Sequence, residues 1–189
     1  MLQSINYVLL HSKKETNDEI KLGDGTVLIK DTTYEPEKHA IQKLEVLAPP
    51  VKWNMDIKKG DFVYVHHFVC MNESDYLWSK KEGIYWCPKD FVYARVRKGK
   101  VKMLGHWAFI KPIIEEGPRT KSGIFLTPDA EVEVFQQGTI RYINKELKEL
   151  GLKVGDRIGF SKNSEYDMEV EGETLYRMRT KDILYKVEE

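Results

Sequence analysis

The feature that most constrains this chain is an internal repeat whose period is close to half its length. Ile57-Lys58-Lys59-Gly60-Asp61 returns as Leu152-Lys153-Val154-Gly155-Asp156, both of the form apolar-Lys-x-Gly-Asp, at an offset of 155 − 60 = 95. Lys89-Asp90-Phe91-Val92-Tyr93 returns as Lys181-Asp182-Ile183-Leu184-Tyr185 at 182 − 90 = 92. Gly25-Thr26-Val27-Leu28 returns as Gly123-Ile124-Phe125-Leu126 at 123 − 25 = 98. Three matches in unchanged order and at a nearly constant offset point to two copies of one unit in tandem. The 189 residues suffice for two small domains. The boundary is placed near 100–104, with one unit over 1–102 and the other over 103–189.

Within each copy the pattern is β. Short runs rich in Val, Ile, Tyr and Phe alternate with Gly, Pro, Asn and Asp turns: Val8-Leu9-Leu10, Leu44-Glu45-Val46-Leu47, Phe62-Val63-Tyr64-Val65, then Trp107-Ala108-Phe109-Ile110, Thr139-Ile140-Arg141-Tyr142 and Arg157-Ile158-Gly159-Phe160. Many short, regularly spaced strands predict an all-β chain built as a sandwich or small barrel, once per unit. The one helical stretch expected is Asn144 to Leu150, with Leu147 and Leu150 three apart and Gly151 positioned to end it. At the junction, Phe91 to Val96 runs through Arg97-Lys98-Gly99-Lys100 into Val101-Lys102-Met103, which reads as a hairpin with a glycine in its turn.

Charge removes several function classes. Thirty Lys+Arg balance thirty Asp+Glu, leaving no global field to hold a polyanion or an anionic membrane. Arg95, Arg97, Lys98, Lys100 and Lys102 form the one basic cluster, and a solvated hairpin accounts for it better than a nucleic-acid site does. No apolar run is long enough to span a membrane, and the first residues lack the pattern of a signal peptide, so the chain reads as soluble and cytoplasmic. Cys70 and Cys87 have no C-x-x-C spacing and read as buried or idle thiols. His66 and His67, adjacent on an extended segment, face opposite sides and are poorly placed to share a metal. No nucleophile-elbow, phosphate-loop, zincin or dinucleotide fingerprint is present. The reading is therefore of a protein that is not an enzyme and needs no cofactor or metal.

The second unit resembles the GroES family of co-chaperonins across nearly its whole length. After its first strand comes a polar, glycine-containing stretch, Glu115 to Ser122, then Gly123-Ile124-Phe125-Leu126-Thr127-Pro128; this is similar to the family's mobile loop, here about 115–130. Gly138-Thr139-Ile140, the Lys-x-Gly-Asp-Arg turn at 153–157, and the tail from Ser164 through Gly172 to Tyr185 resemble the family's order and spacing. The first unit is a more diverged copy, with a weaker loop signature from Glu15 to Gly25 followed by Thr26-Val27-Leu28-Ile29. Both copies depart from the bacterial pattern where a glycine-rich roof hairpin is usual: Ala48-Pro49-Pro50 stands there in one and Asn144 to Leu150 in the other. The tandem arrangement resembles that of the chloroplast double co-chaperonins.

The resemblance implies two tandem GroES-like small β-barrels and a co-chaperonin that caps a GroEL-like chaperonin ring in its nucleotide-bound state. Gly123, Ile124, Phe125 and Leu126 would dock on the chaperonin, with Val27, Leu28 and Ile29 as a second, weaker set. On pattern alone, Ile124-Phe125-Leu126 also reads as an ordinary buried strand. Ordering a loop costs about 1–2 kcal/mol per residue in backbone entropy. Three apolar side chains return about 1.5–3 kcal/mol each, so a single loop binds weakly and several on one ring supply the avidity. The resemblance further implies a homo-oligomer or a mixed ring with single-domain subunits. The alternative is a ring-forming structural or assembly protein that keeps the barrels but has lost chaperonin binding.

Overall fold

A computed structural model of the chain describes residues 3–12, 19–21, 23, 26–29, 41–70, 74–116 and 131–188. The chain divides into two compact units, Met1–Gly105 and His106–Glu189.

The first unit contains β1 (Val8–His11), β2 (Glu19–Lys21), β3 (Val27–Ile29), β4 (Lys43–Ala48), β5 (Phe62–Val65), β6 (Leu77–Ser79), β7 (Ile84–Cys87), β8 (Val92–Arg97) and β9 (Lys100–Met103). Apart from the β2/β3 pair, these form one sheet in the order β6-β7-β1-β4-β5-β8-β9. The second unit contains β10 (Trp107–Glu116), β11 (Glu131–Tyr142), the helix α1 (Lys145–Glu149), β12 (Arg157–Phe160), β13 (Tyr166–Val170), β14 (Glu173–Arg179) and β15 (Ile183–Lys186). Its sheet runs β13-β14-β10-β11-β12-β15. Strand for strand this is the order of the first sheet without β9, so the sequence repeat is a repeat of fold. Both units are all-β with the GroES-like arrangement, and among the described residues their ladders are open at both ends rather than hydrogen-bonded into a closed ring.

The period-two pattern sets which face is buried. Along β4, Leu44, Val46 and Ala48 point inward while the residues between them are partly exposed. Leu44 and Val46 meet Val8 and Leu10 of β1 and Val63 of β5 in one core. The second core is assembled from matching positions: Ala108 and Ile110, Ile140, Ile158, and Tyr176 and Met178. Each large apolar side chain contributes about 1.5–3 kcal/mol on burial, which is what holds short strands together.

The repeated pentapeptide makes the same device twice. Gly60 and Gly155 have φ of +84° and +93°, a conformation favoured by glycine. That turn lets the following aspartate reach back: the Lys58 N–H donates to Asp61 Oδ2 at 2.8 Å, and the Lys153 N–H donates to Asp156 Oδ2 at 2.8 Å. The glycine N–H then donates to Val46 O in one unit and to Ile140 O in the other, and Val46 and Ile140 donate in return to the carbonyls of Asp61 and Asp156. The turn thereby bolts β5 to β4 and β12 to β11.

Where a roof hairpin is usual in the family, the described residues of each unit form something else. The second unit has α1, with Asn144 as its N-cap: Asn144 Oδ1 accepts the Leu147 N–H at 2.8 Å, and its amide donates to Thr180 Oγ1 at 2.7 Å. Leu147 enters the core, and Gly151 at φ +86° ends the helix. In the first unit the chain after β4 instead folds onto the N-terminal segment. Val51 and Lys52 donate their N–H groups to Ser4 O and Ile5 O, and Trp53 Nε1 donates to Asn6 O.

Asp61→Ala removes the acceptor for the Lys58 N–H and strands the Arg97 guanidinium that also binds this carboxylate. Urea unfolding is expected to report a loss of about 2 kcal/mol in the first unit, with Asp61→Asn recovering part of it. A change below about 0.5 kcal/mol, the range of featureless surface sites, would contradict this role.

Candidate functional site

The longest hairpin among the described residues is β10/β11. Its strands pair from Phe109↔Tyr142 to Pro112↔Gly138, and again from Ile114↔Glu133 to Glu116↔Glu131. It carries at its tip the stretch 117–130, so Gly123, Ile124, Phe125 and Leu126 lie outside the described residues. Among the described residues the distal part, from Ile114↔Glu133 outward, pairs only with itself and forms a two-stranded ribbon, whereas the proximal part is flanked by β14 and, from Gln137 to Thr139, by β12. Ile114, Val132 and Phe135 are exposed on or beside this ribbon. Glu133 has its carboxyl pushed above the usual range by partial burial, then by Asp167 and Glu165 nearby.

The counterpart in the first unit is built differently. Among the described residues β1 and β4 pair only from Leu9↔Ala48 to His11↔Glu45. Val27, Leu28 and Ile29 form β3, antiparallel to β2 in the register Glu19↔Ile29, Ile20↔Leu28, Lys21↔Val27. The two candidate tripeptides thus belong one to each unit.

The sheet edges differ as well. β8 runs between β5 and β9, and the junction is the hairpin its sequence suggests: Ala94↔Met103 to Arg97↔Lys100, closed by Lys98 and Gly99 at φ +51° and +71°. Positive φ at both central residues suits the right-handed twist of the strands. β15, the counterpart of β8, pairs only with β12 among the described residues. Tyr93 in β8 is 1% exposed, whereas its repeat partner Tyr185 is 52% exposed and Leu184 is 61% exposed. β9 presents Lys100 and Lys102 at its edge, a charged strand that resists further pairing. β15 has no such protection on Leu184 and Tyr185.

Three of the five cations of the basic cluster are paired within the first unit, with two acids far away in sequence. Arg95 Nη2 donates to Asp56 Oδ2 at 3.1 Å, and Lys102 Nζ donates to the same oxygen at 2.5 Å. Arg97 grips Asp61 with two hydrogen bonds of 2.7 Å. Bonds from Lys102 and Arg95 draw the Asp56 carboxyl down to about 2, and Arg97 lowers Asp61 despite its burial. Lys98 and Lys100 stay exposed, and two lysines make no backbone-tracking groove of the kind single-stranded nucleic acid needs.

The remaining candidates are absorbed by packing. His66 Nδ1 accepts the Phe68 N–H at 3.2 Å and its ring stacks on Phe91 at 4.8 Å. Cys70 and Cys87 are buried free thiols; burial pushes Cys70 up to about 12 and raises Cys87 well above the usual thiol range, so neither forms thiolate near neutrality. Among the described residues no three His, Cys, Asp or Glu side chains are grouped to hold a metal ion, and no helix is long and apolar enough to cross a membrane.

Comparison with known proteins agrees with this arrangement. The sequence model of the Chaperonin 10 Kd subunit family matches residues 100–187, beginning at the first residue of β9 and running through β15. The chain is 40% identical over 90 residues to the Co-chaperonin GroES of Fervidobacterium nodosum, covering 48% of this chain and 99% of that protein. It is 39% identical over 90 residues to the Co-chaperonin GroES of Kosmotoga olearia, with the same coverage. It is 35% identical over 94 residues to that of Clostridium botulinum, covering 47% of this chain and 99% of the relative. The chain belongs to the GroES, or chaperonin 10, family, as a tandem member whose first unit is a diverged copy with the same strand order.

The ion pairs of Asp56 and Asp61 fix a pH dependence. Both carboxyls are lowered in the folded unit, so the unfolded chain binds more protons below an ordinary aspartate value of about 3.9, and stability rises with pH there. The first unit should hold its full stability above about pH 4 and lose this part of it as pH falls toward about 2. Denaturant unfolding at stepped pH values, followed by tryptophan fluorescence, should give a shallower pH slope for Asp56→Asn/Asp61→Asn than for wild type. An unchanged slope would exclude these two groups as its source.

Proposed function

We propose that this protein is a co-chaperonin that caps a GroEL-like chaperonin ring in its nucleotide-bound state and assists ATP-dependent folding by that partner, catalysing no covalent chemistry itself. The observation that carries the reading is the match to Co-chaperonin GroES over 99% of that protein's length. The β10/β11 ribbon supports it, because the stretch 117–130 joins the two ends of a hairpin that leaves the sheet. In this reading Gly123, Ile124, Phe125 and Leu126 dock on the chaperonin, and Val27, Leu28 and Ile29 form a secondary set. Release follows when the partner's nucleotide state changes, because weakly bound loops depend on acting together.

Assembly follows from the sheet edges. The β8/β9 pair closes one edge of the first sheet, and β9 leads along the chain into the second unit. The open β15 edge then takes the N-terminal segment of another chain, or of a single-domain subunit in a mixed ring, and the assembly works in the cytoplasm. Head-to-tail contacts of this kind close into rings when the rotation permits.

Two measurements test this. Nucleotide-dependent co-sedimentation with a chaperonin ring should retain the wild type and lose Ile124→Ser/Phe125→Ser, while Val27→Ser/Leu28→Ser weakens binding less. Absence of wild-type binding to the chaperonin of its own host would refute the capping role and leave a GroES-like assembly protein. In light scattering, Leu184→Pro should reduce the oligomer to single chains, because proline at that edge removes a ladder donor. An unchanged mass would exclude the β15 edge as the assembly contact.

A further inference from the structure

The ribbon that carries 117–130 does not simply extend the sheet; it leaves through a joint. Between the pairs Pro112↔Gly138 and Ile114↔Glu133, β10 has one intervening residue and β11 has four, Val134 to Gln137. The surplus of three residues is a large β-bulge, a device that bends a strand and re-aims the chain beyond it. Gln136 within it has φ +54°, in the left-handed region that non-glycine residues rarely occupy. The last regular pair before the joint consists of a proline, which has no N–H to donate, and a glycine packed too tightly for any side chain. A Cβ on Gly138 would lie 2.5 Å from Ile110 Cγ2 and 2.9 Å from the Lys111 carbonyl oxygen.

Two glutamines tie the bulge to β12. Gln136 Nε2 donates to the Phe160 carbonyl at 3.1 Å, and Arg157 Nε donates to Gln137 Oε1 at 2.9 Å. The same guanidinium reaches past the joint, with Nη2 3.5 Å from Glu115 Oε1 on the ribbon. The body of the sheet, the bulge and the ribbon therefore meet on one side chain. At Glu133 the ribbon instead meets like charge from Asp167 and Glu165, so the ribbon is attracted to Arg157 at one place and repelled at the other. Among the described residues the first unit has no such joint: the position 95 residues before Arg157 is Phe62, and β1/β4 pairing ends at His11↔Glu45.

We propose that Arg157, through Gln137 and Glu115, is a positioning residue that latches the bulge-jointed ribbon of the second unit and so sets the direction in which 117–130 is presented to a partner. The use of that direction rests on the co-chaperonin reading; the latch itself does not. A half-exposed ion pair contributes little by itself, and the latch works because the bulge, with both glutamine bonds, has already narrowed the directions available to the ribbon. A partner then binds a smaller ensemble, and loosening the latch lowers apparent affinity by the fraction of chains still correctly oriented.

Hydrogen exchange on the intact protein, resolved at 113–116 and 131–134, reads the latch without any partner. Arg157→Leu and Gln137→Leu are expected to speed exchange there about threefold to tenfold, with Glu115→Gln giving a smaller increase and Glu115→Arg/Arg157→Glu returning toward wild type. Lys186→Ala, which removes the neighbouring Lys186–Asp156 pair, should leave the ribbon unchanged. The same variants, titrated against a chaperonin ring with ATP, are expected to bind about threefold or more weakly. Ribbon exchange unchanged in folded Gln137→Leu and Glu115→Gln overturns the latch, and wild-type affinity in variants whose ribbon has loosened overturns its positioning role. If the wild type itself fails to bind, the co-chaperonin reading falls while the exchange data still decide the latch.

Discussion

Each unit depends on one carboxylate folded back onto its own turn. Asp61 and Asp156 accept the N–H three residues upstream, and the glycine before each one takes a left-handed conformation that brings the two β-strands into register. Without that turn, β5 and β12 have no fixed register against β4 and β11, and a one-residue slip would turn the apolar face of either strand outward. A short polar motif therefore determines where the apolar cores form. Its presence in both copies, while most surrounding residues differ, follows from its physical job. The core positions tolerate exchange among Val, Ile, Leu and Ala; a left-handed glycine followed by a capping carboxylate has few substitutes.

The two units share this frame and differ in what they attach to it. The first closes one sheet edge with β9, whose lysines discourage further pairing, and ties Lys102 of that strand to Asp56. The second leaves β15 open, with Leu184 and Tyr185 exposed, and extends β10/β11 into a ribbon beyond a bulge. Division of labour follows from these differences. Among the described residues, β9 covers β8 in the first sheet, β15 is left as a terminal strand in the second, and a ribbon beyond a bulge is seen in the second unit. The segments at the roof positions fit the same economy, since α1 and the 49–56 segment each return to their own unit rather than reaching away from it.

Much of this was legible in the sequence because it is carried by local signals. Period-two apolar runs placed β4, β5, β11 and β12. Asn144, Leu147 and Gly151 announced a short capped helix, and Lys98-Gly99 announced the hairpin that makes β9. The features that sequence reading missed are set by partners distant along the chain. The basic cluster read as a solvated hairpin, whereas Arg95, Arg97 and Lys102 are held by Asp56 and Asp61, 36 to 46 residues away. The bulge was equally hidden: Val134 to Gln137 continues a plausible strand, and only the register against β10 reveals three surplus residues. A weak hint was available in Pro112, since a proline beside a central strand pair marks an irregularity. The β2/β3 pair escaped because Glu19–Lys21 is too short and polar to read as a strand. The candidate docking tripeptide of the second unit was assigned from family resemblance, and it lies outside the described residues.

The central claim is that the second unit, and within it the segment at the end of the β10/β11 ribbon, engages a chaperonin ring. Hydrogen-exchange mass spectrometry of the full chain, with and without an ATP-loaded chaperonin ring, tests it most directly. The account predicts strong new protection across 117–130, weaker protection near 27–29, and little change in the core strands of either unit. Protection confined to other surfaces, or none at 117–130 under conditions where a single-domain co-chaperonin is protected, would contradict it.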